Sequence, residues 1–327
     1  MLGYFARRLG YFAVLMVVAA FLSYLLAATA LSPRAYFQAR QPPPPAAQVE
    51  AQLAVLGLDP EQPVVVRFGH WAVAAVHGDL GLSIKGGSVN DEFGRRVGVS
   101  LRLLVVGTLL GTVLGVAVGV WGAVRQYRLS DRVTTLVAFV LLSTPTFLLA
   151  LLLKIGALAL NQATGRQLIS FTGEGTPGLQ GSFAAIVADR GIHLLLPTLS
   201  IGLATLATYS RYQRSAMLDV LGSDYLRTAA AKGLSRRTVL VKHGLRTALI
   251  PMSTFFAFGF LGVLTGATFT EKIFGWHGMG EWFIDSINNN DVNAVVAVNL
   301  FAAGTVLLAG LLADLLHAAL DPRVRHG

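Results

Sequence analysis

The sequence predicts an all-α polytopic membrane protein with about six transmembrane helices, both termini cytoplasmic, and a small external subdomain between the first two spans. Three observations carry this. Of the 327 residues, 54% are hydrophobic and only 13% charged, which is about half the usual charged share. Six long runs lack any Asp, Glu, Lys or Arg. The basic residues between those runs are distributed unevenly, as membrane insertion demands.

The uncharged runs cover residues 11–31, 103–124, 133–153, 194–210, 247–270 and 292–313. Each approaches the roughly 20 residues that a helix needs to cross about 30 Å of hydrocarbon. Lys and Arg stay on the cytoplasmic side during insertion. That side therefore holds Arg7 and Arg8; Arg125, Arg128 and Arg132; the block Arg211, Arg214, Arg227, Lys232, Arg236, Arg237, Lys242 and Arg246; and Arg323 and Arg325. On the other side, segment 32–98 balances its charges, and segment 271–291 sets Glu271, Glu281, Asp285 and Asp291 against Lys272. Arg7 and Arg8 before an apolar run ending Ala28-Thr29-Ala30 also suit a cleaved signal peptide, but the run is long for a signal core. The net charge of +9 does not point to nucleic acid, because the cations are broken up by apolar runs and form no single basic face.

Within the second run, Gly107, Gly111, Gly115 and Gly119 recur every four residues and form a smooth ridge for close helix packing, with the neighbour open. Pro145, Pro197 and Pro251 predict kinks or helix entries. Phe255, Phe256, Phe258 and Phe260 crowd the fifth run, where Phe255, Phe258 and Thr265 are candidates for a translocation path; lipid contact competes for the aromatic residues. His193 and Lys154 read as interfacial anchors. No acidic residue lies within the runs, which removes the relay an ion-coupled transporter uses.

Chemistry is absent from the motifs. Gly173-Glu174-Gly175-Thr176-Pro177-Gly178 has dinucleotide spacing but no strand-turn-helix context. There is no phosphate-binding G-x-x-x-x-G-K-[ST] loop, no H-E-x-x-H helix and no nucleophile elbow, so no catalytic residue, metal or cofactor is expected. With no cysteine, disulfides and thiolate chemistry are excluded. The chain divides into 1–31 (tail and first span), 32–98 (external subdomain) and 99–327 (core). In the subdomain, Gln41 and four prolines form an extended linker before a short amphipathic helix at 46–56.

Segment 211–246 is the most patterned aqueous stretch. Asp224, Tyr225, Leu226, Arg227, Thr228, Ala229, Ala230, Ala231 and Lys232 predict a short helix, with Asp224 at its positive end and Gly233 as its stop. After Leu234 and Ser235, residues 236–246 predict a second helix leading into the fifth span. A solvated basic loop is the plain alternative. Small residues with a terminal glycine favour a helix seated in another protein's cleft.

These residues resemble an ABC-importer permease of the dipeptide and oligopeptide class over nearly the whole chain. Asp224 to Ser235, followed by Arg246-Thr247-Ala248-Leu249-Ile250-Pro251, is similar to that family's cytoplasmic coupling loop. Gly78-Asp79-Leu80-Gly81-Leu82-Ser83, Asp131-Arg132, Thr144-Pro145-Thr146-Phe147 and Asp321-Pro322-Arg323 also match. Glu271 to Gly280, with Trp276, resembles the last external loop, but His277 replaces a usual proline and Asn290 a usual arginine. The resemblance implies a type I ABC importer permease fold in the bacterial inner membrane and alternating access driven by ATP bound elsewhere. It also implies a second homologous permease, two ATP-binding subunits or one fused ATPase, an extracytoplasmic substrate-binding protein and membrane lipid as partners, with no nucleic acid. Peptides are the expected cargo, though relatives of the group carry nickel, haem or glycans. An ion-coupled transporter and an intramembrane enzyme are the competing classes. The first would need ionisable groups inside the spans, and the second a nucleophile with its base.

Overall fold

The computed structural model describes residues 2–320, with all side chains in that range except those of residues 2–6, 9, 254, 257–263, 265, 266 and 318. The helices are α1 (Leu2–Ala30), α2 (Pro33–Gln38), α3 (Ala46–Val55), α4 (Val64–Val76), α5 (Val89–Val124), α6 (Leu129–Ser143), α7 (Thr146–Thr164), α8 (Phe183–Leu221), α9 (Asp224–Ala231), α10 (Arg236–Thr238), α11 (Arg246–Ala248), α12 (Ile250–Phe274), α13 (Met279–Asn288) and α14 (Val292–Leu320). A π-helical turn, Val239–Leu245, joins α10 to α11. The described residues form no strand beyond an isolated bridge between Leu82 and Ser88. Helices are what hydrocarbon permits, because each satisfies its own backbone N–H and C=O groups.

Among the described residues, five helices are long and apolar enough to cross a membrane: α1, α5, α7, α8 and α14. One of the six expected runs is interrupted. Run 133–153 is not one helix. Thr144 is extended (φ −94, ψ 118) and Pro145 precedes α7, so the chain breaks between α6 and α7. The residue before a proline is driven out of helical conformation by the proline ring, which accounts for the break. Run 247–270 is helical as α12, which starts at Ile250 with proline in its first turn; many of its side chains lie outside the described residues. The expected Asp321-Pro322-Arg323 block and Arg325 also lie outside them.

The chain separates into two compact units. The first holds residues 1–100 and 277–307. Here the 32–88 segment folds onto α1 and the first turn of α14, burying Tyr24, Phe37, Leu53, Trp71, Ile84, Val292 and Val296 together. Polar contacts fix the seam. The Asp291 carboxylate is 4% exposed and accepts from the Ser83 hydroxyl at 2.5 Å and from the Ile84 N–H at 3.1 Å through Oδ2, and from the Ala294 N–H at 3.2 Å through Oδ1. Asn293 Nδ2 donates to the carbonyls of Leu56 and Leu82, each at 3.0 Å. Gly81 sits at φ +92, and a Cβ there would lie 3.1 Å from Asn293 Nδ2, so this position takes glycine for both reasons. The Gly78-Asp79-Leu80-Gly81-Leu82-Ser83 block is thus the receptor for the start of α14. Burial pushes the Asp291 carboxyl above its ordinary value, against the pull of its donors.

The second unit holds residues 101–276 and 308–327. Its central contact is α5 against α8. A Cβ at Gly111 would lie 2.7 Å from the Gly202 carbonyl oxygen, at Gly115 2.9 Å from that of Leu206, and at Gly119 2.5 Å from that of Ser210. At Gly107 it would lie 3.0 Å from Ile201 Cγ2. The ridge therefore meets helix backbone, which cannot move aside as a side chain can. On α7, Lys154 donates to the Ile273 carbonyl at 2.6 Å, holding the end of α12, and Phe147 meets Phe269 with ring centroids 6.1 Å apart.

Two measurements check this packing. Alanine at Gly111, Gly115 or Gly119 is expected to lower stability by roughly 1–3 kcal/mol through overpacking. Gly156→Ala, where a Cβ meets nothing within 4 Å, is expected to be neutral or mildly stabilising in thermal unfolding of the purified protein. Because the folded value of Asp291 lies above the unfolded one near pH 4, its favourable contribution is complete below that pH and is lost as pH rises through the folded value. The melting temperature of Asp291→Asn should therefore gain on wild type between pH 4 and 7; a constant difference would exclude titration of this group.

Candidate functional site

The candidate site is the connection from α8 to α12, built around α9. Helix α8 ends at Leu221, and Ser223 turns the chain by donating its hydroxyl to the Val220 carbonyl at 2.6 Å. Asp224 opens α9, where a negative charge suits the helix N-terminus, and it contacts Arg227 one turn on. Thr228 donates back to the Asp224 carbonyl at 3.0 Å.

One residue of α9 is fully buried. Leu226 is 5% exposed and sits over Gly244 of the π-helical turn, beside Met217 of α8, which is wholly buried. A Cβ at Gly244 would lie 3.6 Å from Leu226 Cδ1 and 3.2 Å from Met217 Cε. Leu226 thus packs on the chain that follows α9, at ordinary contact distance from Gly244. Asp224, Tyr225, Arg227, Thr228, Ala230, Lys232, Leu234 and Ser235 are exposed, and Ala229 is half-buried. Gly233 ends the helix at φ +80, with its N–H donating to the Ala230 carbonyl at 3.0 Å. Ser235 then caps the next helical stretch by accepting from the Thr238 N–H at 3.3 Å.

Helix α8, which leads into α9, is itself tied to α6, through an acidic residue that the sequence marked only by the Asp131-Arg132 match. Arg214 of α8 grips Asp131 of α6 in a two-point ion pair, Nε to Oδ1 at 2.7 Å and Nη2 to Oδ2 at 2.8 Å. The Tyr127 N–H also donates to Asp131 Oδ2 at 3.0 Å. Tyr127 lies at φ +66, a conformation costing a bulky residue about 1–3 kcal/mol, which the Asp131 bond holds in place. The Arg214 hydrogen bonds keep the Asp131 carboxyl below its ordinary value.

The remaining candidates are dispersed. Phe255 is half-buried and stacks near Tyr212 with ring centroids 3.8 Å apart; the side chains of Phe258 and Thr265 lie outside the described residues. Trp276 is 3% exposed, its N–H bonded to the Glu271 carbonyl at 2.8 Å and its indole nitrogen buried without a partner. His277 is exposed and meets Glu281 at 2.7 Å. Asn290 has φ +58, which asparagine tolerates far better than arginine, and its Oδ1 accepts from the Ser32 N–H at 2.9 Å. That pair of contacts gives the replacement of arginine a local structural reason.

Long apolar helices joined by an exposed, internally anchored helical connection define a multi-pass membrane protein. The chain belongs to the family described as binding-protein-dependent transport system inner membrane component, which matches residues 111–326. It is 56% identical over 322 residues, 98% of both chains, to the oligopeptide transport system permease protein OppB of Mycobacterium tuberculosis (strain ATCC 25618 / H37Rv). It is 36% identical over 266 residues, 81% of both chains, to the oligopeptide permease AppB of Bacillus subtilis (strain 168). It is 35% identical over 291 residues, 84% of both, to the dipeptide permease DppB of Escherichia coli (strain K12). The chain is therefore an inner-membrane permease subunit of an ATP-driven importer, and ATP hydrolysis belongs to partner subunits. It works with a substrate-binding protein and an ATPase.

Removing one partner of the Asp131–Arg214 pair leaves a largely buried charge alone. Asp131→Asn is expected to destabilise the protein by roughly 3 kcal/mol. The exchange Asp131→Arg with Arg214→Asp should recover part of that loss in thermal unfolding; no recovery would mean that the Tyr127 turn, and not the ion pair, carries the effect.

Proposed function

We propose that the chain lines the translocation path of a peptide importer and that α9 is its mechanical input. On the expectation of six crossings with both termini cytoplasmic, segment 211–246 lies in the cytoplasm, where an ATPase is found. The observation that carries the reading is the construction of α9: Leu226 anchors one face to the permease, while Tyr225, Thr228 and Ala231 present an exposed face that a partner's cleft can accept. ATP-driven closure of a pair of ATP-binding subunits pushes on that face, and α8, continuous with it through Ser223, transmits the displacement. A second homologous permease completes the path, and an extracytoplasmic binding protein delivers cargo near the external loop at Trp276, His277 and Asn290. Phe255, Phe258 and Thr265 serve as path-lining positions. The named relatives are oligopeptide and dipeptide permeases, which favours peptides as cargo.

The test is Ala230→Trp and Gly233→Val in the complete transporter reconstituted in vesicles. Gly233 sits at φ +80, which valine cannot adopt without strain. Peptide uptake is expected to fall at least about tenfold, which corresponds to about 1.4 kcal/mol of lost coupling, while ATP hydrolysis continues. Unchanged uptake per ATP would remove α9 from the coupling path.

A further inference from the structure

We propose that α4 lies within the external leaflet of the membrane, with one side against lipid chains and the opposite side on a hydrated notch. The inference concerns the first unit alone and goes beyond the transport reading. Three stripes on the helix, and the depth at which it packs, carry it.

The first stripe faces protein. Phe68 meets Phe21 and Tyr24 of α1 with ring centroids 5.1 and 5.7 Å away, and Trp71 lies 5.8 Å from Tyr24. The membrane-crossing part of α1 is Gly10–Ala30, 21 residues, which at 1.5 Å per residue spans about 31 Å, the thickness of the hydrocarbon. Tyr24 and Phe21 lie six and nine positions before Ala30. They therefore sit about 9 and 14 Å along the axis from that end. A helix whose aromatic residue packs there is below the membrane surface, not above it.

The second stripe faces outward. Val65, Val66, Val73 and Val76 are 63%, 45%, 63% and 86% exposed, and Gly69 lies between them on the same face. Val18, Leu22 and Leu26 of α1, beside it, are 47%, 50% and 67% exposed within a membrane-crossing segment. The apolar surface thus runs from a lipid-facing helix onto α4. Lipid chains are the occupant that this continuity and depth select.

The third stripe is polar. Arg67, His70, Trp71 and Ala74 line a cavity of about 530 Å³ that also receives Asp59, Gln62 and Asp79. Arg67 makes one long contact, to the Leu58 carbonyl at 3.4 Å, and its Nε is buried without a hydrogen-bond partner. A guanidinium with one long contact at this depth requires water, and the cavity has room for roughly 18 molecules at about 30 Å³ each.

The chain has no cysteine, so single cysteines report cleanly. In the complete transporter in vesicles, Val65→Cys, Val73→Cys, His70→Cys, Leu22→Cys as lipid reference and Glu61→Cys as aqueous reference would carry an environment-sensitive fluorophore. The labels at Val65 and Val73 should be quenched by brominated lipid within twofold of Leu22, and at least fivefold less by iodide than Glu61. The label at His70 should respond to iodide. Iodide quenching at Val65 and Val73 would place α4 in water and overturn the proposal. Protection from both quenchers would mean that a protein partner covers the stripe, which overturns it equally. Lipid quenching at His70 would overturn the hydrated notch.

Discussion

Everything in the second unit depends on how closely α5 approaches α8. Hydrocarbon gives no hydrophobic drive for one apolar helix to associate with another, so contact must come from fit and dispersion. Four glycines at one spacing bring backbone against backbone along about three turns, close enough that single methyl groups are excluded at Gly111 and Gly119. That fit makes α8, 39 residues long, a stiff member and not a loose strut. The Asp131–Arg214 pair fixes α8 to α6, and the Leu226 anchor joins α9 to both α8 and the π-helical turn. In the proposed coupling role, a push on α9 would be delivered to packed helices instead of being lost in a flexible loop.

The fold class was legible because membrane segments advertise themselves by composition and charge. The glycine ridge was legible too, since a spacing of four needs no partner to be recognised. Its partner was not, because nothing in residues 198–214 announces complementarity; Gly202, Thr205 and Ser210 are ordinary small residues in a membrane helix. Pro145 was read as a kink or a helix entry, and the extended Thr144 before it makes it an entry that separates two helices.

The candidate site divides along the same line. The extent of α9 and its glycine stop follow from local propensity, which a sequence carries openly. The anchoring of Leu226 is made at Gly244, eighteen positions later and inside a π-helical turn, and such turns leave no periodicity to find. Asp131 and Arg214 are 83 residues apart; the one was visible as part of the Asp131-Arg132 match and the other as a member of the basic block, and nothing in the sequence paired them. Asn290 was noticed as a departure from a family pattern. The φ of +58 and the bond to Ser32 supply its cause, which a pattern cannot.

The Ser83–Asp291 bond joins positions 208 residues apart, and it has a consequence for biosynthesis. A ribosome delivers the 32–88 segment early, whereas the first turn of α14 that closes over Ile84 and Leu53 arrives almost last. During that interval the early segment holds apolar side chains with no permanent cover, the condition under which nascent chains misassociate. Completion of the first unit therefore waits for emergence of the start of the final helix.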